Sequence, residues 1–325
     1  MSTANERVYI ESNCIEVQYY FKEGTHFMDA LIQNKCEYEL LALMREVALR
    51  LRLSIYIETV PLAEKGFCRR FKVALKKENK TAPVAVTIAT ATLVAAISTP
   101  LAAPVATEVQ HIIEAVQQSP RICDPENEKL KPQIEKRIRQ MQQSCSNLDA
   151  SNIIKKRRSN FFELLSRYPK ITGVQFTAVD EERLKITREN TVTRMQFEKY
   201  ILTTDELEPE EVNDVEIEII APVLKKSNYK WVGMYNGKPR SFIMESKEFK
   251  KLVQSGKVQF KNGSVINCQL TIHKKINNEG VERITGTSIT RVNHYYENDK
   301  PVETTEGKKQ KKQPEPEITQ LALFG

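Results

Sequence analysis

The sequence predicts an α+β chain built in series. An α+β domain over residues 1–80 is followed by an Ala/Thr-rich membrane helix or hairpin over 81–107, a helical connector over 108–150 and a basic α/β segment over 151–213. An antiparallel β-rich module over 214–297 and a disordered tail over 298–325 complete the chain. Three observations carry this reading. Apolar residues recur at helical spacing in some stretches and alternate in others. Residues 81–107 hold no charge, in a chain of which 28% is charged. Asn-Gly pairs, which favour tight hairpin turns, fall in the last third.

Length and composition set the frame. A chain of 325 residues, 40% hydrophobic, is large enough for two or three folded domains. Its first residues, MSTANERVYIESN, carry no basic and apolar leader pattern, so the first domain is expected to be cytoplasmic. Six cysteines are scattered without CxxC spacing or a histidine cluster, which argues for reduced, packed thiols rather than zinc or disulfides. No Gly-rich phosphate loop, carboxylate pair or Ser/Cys with His stands out, and His26, His111, His273 and His294 read as structural or surface residues. Neither catalysis nor a metal or cofactor is expected.

In the first domain, residues 7–21 are rich in β-formers, and Leu40, Leu41, Met44, Val47, Ala48 and Leu51 mark a long amphipathic helix. LSIYIETV and the alternation Phe67, Arg69, Phe71, Val73, Leu75 read as two strands joined by a turn over 61–66.

The uncharged run TAPVAVTIATATLVAAISTPLAAPVAT is long enough to span a bilayer as one helix. Its quality is modest: eight Val, Ile or Leu stand among nine Ala and six Thr. Small and hydroxylated residues suit membrane helices that pack closely on copies of themselves, with Thr87, Thr90 and Ser98 as pore lining. Basic residues from Arg69 to Lys80 favour the N-terminal side facing the cytoplasm. A hairpin turning near Pro100–Pro104 fits as well as a single span, and an Ala/Thr-rich helix buried in a protein core is the competing explanation.

Val105, Val109, Ile112, Ile113 and Val116 continue a helical face, and SPRICDPENE marks a turn. Leu130, Ile134, Ile138, Met141, Cys145 and Leu148 then form a thin stripe that suits either a self-association stalk or a helix lying on its own domain. Lys155, Lys156, Arg157 and Arg158 are the densest basic point of a chain of net charge +7. ITGVQFTAV and RLKIT read as strands, MQFEKYIL as a short helix, and TTDELEPEEVND as an acidic linker.

The last module carries hairpin signals at YNGK, KNGS and NNEG, with one helix, SKEFKKLVQSG, between them. A small antiparallel sheet or partly closed barrel is expected. Tyr229 and Trp231 interleaved with Lys225, Lys226, Lys230 and Arg240 form a candidate stacking and phosphate-binding surface for single-stranded nucleic acid, joined by the basic patch at 155–158. One packed and one solvated face of a sheet would produce the same mixture.

This order of parts, with VEIEIIAPVLKKSNYKWVGMYNGKPRSFIMESKEFKKLVQSGKVQFKNGSVINC in the β-rich module, resembles the channel-forming effectors of Hailong-type bacterial anti-phage defence. The resemblance covers most of the chain but is architectural, so no ligand residue is carried over from it. It implies a homo-oligomeric channel, with a tetramer as one candidate state, in the bacterial inner membrane. It also implies that a single-stranded, oligodeoxyadenylate-like DNA, made by a partner nucleotidyltransferase, holds the channel closed.

A separate resemblance lies in QLALF, after TTEGKKQKKQPEPE, which is similar to the peptide by which bacterial proteins dock on the DNA polymerase sliding clamp. Gln320 would orient the peptide while Leu321, Leu323 and Phe324 fill the pocket. A tail packed on its own assembly is the alternative, and a DNA-associated adaptor docked on the clamp is the alternative to the channel.

Overall fold

A computed structural model describes residues 12–25, 27–60, 67–75, 82–117, 131–180, 185–225, 229–297 and 300–312. They divide into two units, Met1–Thr204 with Asn278–Val281, and Asp205–Asn277 with Glu282–Gly325. Helices and strands both build the first and strands dominate the second, which makes the chain α+β.

In the first unit, antiparallel strands lie in the order β2 (Ile55–Val60), β3 (Cys68–Leu75), β1 (Ser12–Phe21), β4 (Ile171–Val179) and β5 (Asn190–Thr193). Register sets Ile15 between Phe71 and Ala178, and Val17 beside Phe176. Alternate residues Ile15, Val17 and Tyr19 therefore share the buried face, while Glu16 and Arg70 pair on the opposite one. Helix α1 (Ala30–Arg50) starts where the Asp29 carboxylate accepts from the amides of Leu31 and Ile32, and buries Leu40, Leu43, Met44 and Val47. The turn expected over 61–66 lies outside the described residues.

The uncharged run becomes helix α2 (Ala82–Ser98), 17 residues long. It touches β1, β3, β4, β5, α1, α3 (Val105–Gln117) and α4 (Lys131–Asp149), so it is enclosed by its own unit. A helix apolar on every side needs such an enclosure. Among the described residues no helix is long and apolar enough to cross a membrane. The expected membrane helix is thus corrected to a core helix, and the channel built on it falls with it.

Its hydroxyls line no pore. Thr90 and Thr92 donate to the carbonyls of Val86 and Ile88 at 2.8 and 2.7 Å, and Ser98 to that of Val94 at 2.8 Å. Thr87 accepts from the Asn13 side chain at 2.9 Å. Small residues serve the same end as in a membrane bundle, since Ala85, Ala89, Ala91, Ala95 and Ala96 let neighbouring elements approach on all sides.

Helices α3 and α4 pack on one another and on α2. The Asp149 carboxylate at the end of α4 accepts from the Val105 and Ala106 amides at 2.7 and 3.2 Å, satisfying the start of α3. Ile138, Met141, Cys145 and Leu148 are buried in the same core, so α4 is a helix of its own domain rather than a stalk; Leu130 lies outside the described residues. Helix α5 (Asn152–Ser166) and a 3₁₀ turn, Arg194–Tyr200, complete the unit with a ring cluster of Phe161, Phe162, Phe176, Phe197 and Tyr200.

The second unit is a closed barrel with one strand added. Strand β6 (Glu210–Ala221) pairs with β7 (Trp231–Tyr235), and β7 with β8 (Lys238–Met244). Strand β8 runs parallel to β10 (Glu282–Glu297), β10 pairs with β9 (Val265–Ile276), and β9 returns to β6. Helix α6 (Lys247–Gln254) connects β8 to β9, and β11 (Lys300–Glu303) pairs antiparallel with the end of β10.

The YNGK and NNEG signals are the β7–β8 and β9–β10 turns, with Asn236 and Gly237 at φ 50° and 70°. KNGS is instead the turn that leads from α6 into β9. Part of the expected acidic linker is β6 itself, whose Val215, Ile217 and Ile219 face inward.

Residues 300–312 belong to the second unit rather than to a disordered tail. Helix α7 (Thr305–Lys312) is fixed at its start: the Thr304 hydroxyl accepts from the Gly307 amide at 3.0 Å and donates to the Val292 carbonyl at 2.5 Å. Glu248 of α6 caps α7 by accepting from the Thr305 amide at 2.7 Å, and Glu306 of α7 accepts at 2.7 Å from the hydroxyl of Ser246, the residue that caps α6. A side chain at Gly307 would collide with the Asn293 carbonyl.

Candidate nucleic-acid interface

The KKRR sequence does not form an open basic patch. Lys156, Arg157 and Arg158 are 5%, 8% and 2% exposed, and Lys155 is half-buried. Arg157 pairs with Glu39 at 3.1 Å and lies over the Tyr38 ring at 5.4 Å. Arg158 donates to the carbonyls of Ala96 and Thr99 at 3.1 and 2.6 Å. With Tyr200, whose hydroxyl donates to the Ser98 carbonyl at 2.9 Å, it satisfies the carbonyls left without partners at the end of α2. Burial draws its pKa down to about 10, so it stays charged at neutral pH beside the negative end of the helix. A signal for this existed in the sequence. Ile154, Arg158, Phe161 and Leu165 share one helical face, and a cation on an apolar face is a cation taken inside.

Trp231 is corrected from a stacking surface to a core residue. It is 2% exposed, with ring centroids of Phe242, Phe249 and Phe260 at 6.5, 6.2 and 5.7 Å. Gly233 lets β6 approach, because a Cβ there would stand 2.5 Å from Ile217. Residues between these inward positions point out. Val232 lies opposite Ser241, with Ile243 two residues further on, and Ile220 projects where β6 reaches Val232. Ile220 and Ile243 are 53% and 41% exposed, and Leu224 and Tyr229, in the β6–β7 connection, 62% and 77%. An apolar strip thus crosses the first three strands of the barrel.

Charge divides the barrel. Asp205–Ala221 carries eight carboxylates and no cation, whereas residues 222–261 carry ten Lys and Arg against two Glu. The acidic side is met by its own strands: Glu210 pairs with Lys274 at 2.5 Å, Glu211 accepts from Gln269 at 2.8 Å and Glu216 from Tyr296 at 3.2 Å. On the other side Lys225, Lys230, Lys238 and Arg240 are exposed and form no ion pair or hydrogen bond with the described residues. Lys226 lies outside the described residues, as do Gln320, Leu321, Leu323 and Phe324. Lys225, Lys230 and Tyr229 are thus exposed beside the strip, and Arg240 is exposed but stands opposite Gly233, on the face of Phe242 rather than that of Ile243, while Trp231 and most of the 155–158 cluster are buried. Ile220, Leu224 and Ile243 went unread in the sequence, where an exposed isoleucine in a strand looks like any core residue.

Among the described residues no group of three His, Cys, Asp or Glu is placed to hold a metal ion. No protein-family model matches the chain, and no curated protein matches it significantly.

Proposed function

We propose that the second unit binds single-stranded nucleic acid on the outer face of β6, β7 and β8. One observation carries this: uncommitted cations and an exposed apolar strip share the meander of a closed five-stranded barrel. Three meander strands, a helix, and two strands that close the ring, the third and fifth running parallel, follow the topology of an OB-fold barrel. Barrels of that type take oligonucleotides across their second and third strands. This is an analogy of topology, and the site chemistry has to support it independently. Here it does so in two ways: lysines suit phosphates, while Tyr229 and the strip suit the faces of unstacked bases.

Anisotropy of labelled single-stranded oligodeoxynucleotides tests it. Two phosphate contacts, from Lys225 and Lys230, give a slope of log affinity on log salt of about −1.4. Lys225→Glu with Lys230→Glu should weaken all sequences about equally, and Tyr229→Ala should cost about 1–3 kcal/mol. Equal binding of duplex and single strand, or affinity unchanged in these variants, would overturn the assignment.

The segment Gln320–Phe324 supports a second proposal about partners, that it docks on a bacterial DNA polymerase sliding clamp. Its sequence, QLALF, is the observation in favour. A labelled 313–325 peptide titrated with purified clamp should bind, and Leu323→Ala with Phe324→Ala should abolish binding.

A further inference from the structure

We propose that segment 313–325 of this chain occupies the apolar strip on the barrel, so that the face assigned above to nucleic acid is partly closed by the protein itself. The consequence for nucleic acid rests on that assignment; the docking does not. Chemistry matches in kind and in sign. The strip offers Ile220, Leu224 and Ile243 beside Lys225 and Lys230. The segment QPEPEITQLALFG holds two glutamates and no cation, followed by Ile318, Leu321, Leu323 and Phe324. Acid meets base and apolar meets apolar, and Lys225 and Lys230 form no ion pair or hydrogen bond with the described residues.

Anchoring makes the encounter effective. Helix α7 is held to the barrel by the Glu248 cap, by the Ser246–Glu306 hydrogen bond and by Thr304. The segment therefore starts from a fixed point on the same unit as the strip. Phe324 lies twelve positions beyond Lys312, and at full extension that stretch reaches about 40 Å. A domain of about 100 residues has a radius of gyration of about 13 Å, so the strip is within range. A short tether gives a local concentration in the millimolar range, at which a contact of only about 0.1 mM affinity is mostly formed. Any nucleic acid that needs the same strip then binds about tenfold more weakly than to the open face. A protein that captures the segment would open the face by the same factor.

The test uses the full chain with Leu321→Ala, Leu323→Ala and Phe324→Ala as its open form. A labelled 313–325 peptide should saturate this variant, and the further change Ile243→Glu should abolish the signal. Ile243 is exposed, so that change leaves the core untouched, and an unchanged melting temperature checks it. Single-stranded oligodeoxynucleotide should bind the open form about tenfold more tightly than the unaltered chain, and added peptide should compete. Peptide binding that is absent at millimolar concentration, or indifferent to Ile243→Glu, overturns the docking. If the peptide docks and no oligonucleotide binds either form, the docking stands and the nucleic-acid assignment falls. If oligonucleotide binds both forms equally and the peptide does not dock, the reverse holds.

Discussion

Arg158 does more for the first unit than its place in a run of four cations suggests. Its guanidinium answers two carbonyls at the buried end of α2, and Arg158→Ala would leave both without a donor where water does not reach. A loss of about 3 kcal/mol is expected, read as a lower urea midpoint at unchanged slope. Arg240→Ala, at an exposed site without an ion pair among the described residues, should stay within about 0.5 kcal/mol. Thiols give a second residue-scale prediction. Burial pushes Cys36 and Cys268 up to about 12. In the unfolded chain these thiols ionise near pH 9, in the folded one near 12, so the unfolded state binds fewer protons between those values. Stability is then fully present below about pH 9 and falls by about 1.4 kcal/mol per pH unit per thiol as pH rises toward 12. Denaturation at pH 8 and at pH 10.5 checks the sign, and a stability that rises with pH would contradict the burial.

At the scale of elements, α2 shows how one composition can serve two environments. A helix of Ala, Thr and Val packs closely on whatever surrounds it, whether copies of itself in lipid or the sheet and helices of one domain. Here Ala95 is 3% exposed against the unit's own core. Ala95→Leu should therefore overpack that core and cost about 1–3 kcal/mol by thermal unfolding, without changing the oligomeric state measured by light scattering. A change in assembly at unchanged melting temperature would mean that α2 faces another copy.

For the whole molecule, the two units should be separable by spectroscopy. Trp231 is the chain's single tryptophan and sits in the barrel core. Its fluorescence reports the second unit, while far-ultraviolet circular dichroism is dominated by α1 to α5 of the first. Arg158→Ala should lower the midpoint seen by dichroism and leave that of Trp231 fluorescence in place. Coincident shifts of both would show the units unfolding as one.

Periodicity and turn chemistry are local, and the sequence by itself determined what depends on them. Residues 40–50 are helical, β7 and β8 meet at Asn236–Gly237, and the chain mixes helices with strands. The acidic stretch after residue 202 marked where the second unit begins, and the turns allowed either an open sheet or a barrel; the enclosure of α2, the inward turn of Arg158 and Trp231 and the choice of the closed barrel belonged to tertiary structure. Hydropathy records that a segment avoids water but not what replaces it, and a charge pattern does not say which side of a helix will be covered. Those choices are fixed when β4 returns to pair with β1 across more than a hundred residues, and when β10 closes on β8. Long-range pairing supplies the core that α2 needs, and barrel closure decides which face of β7 meets water.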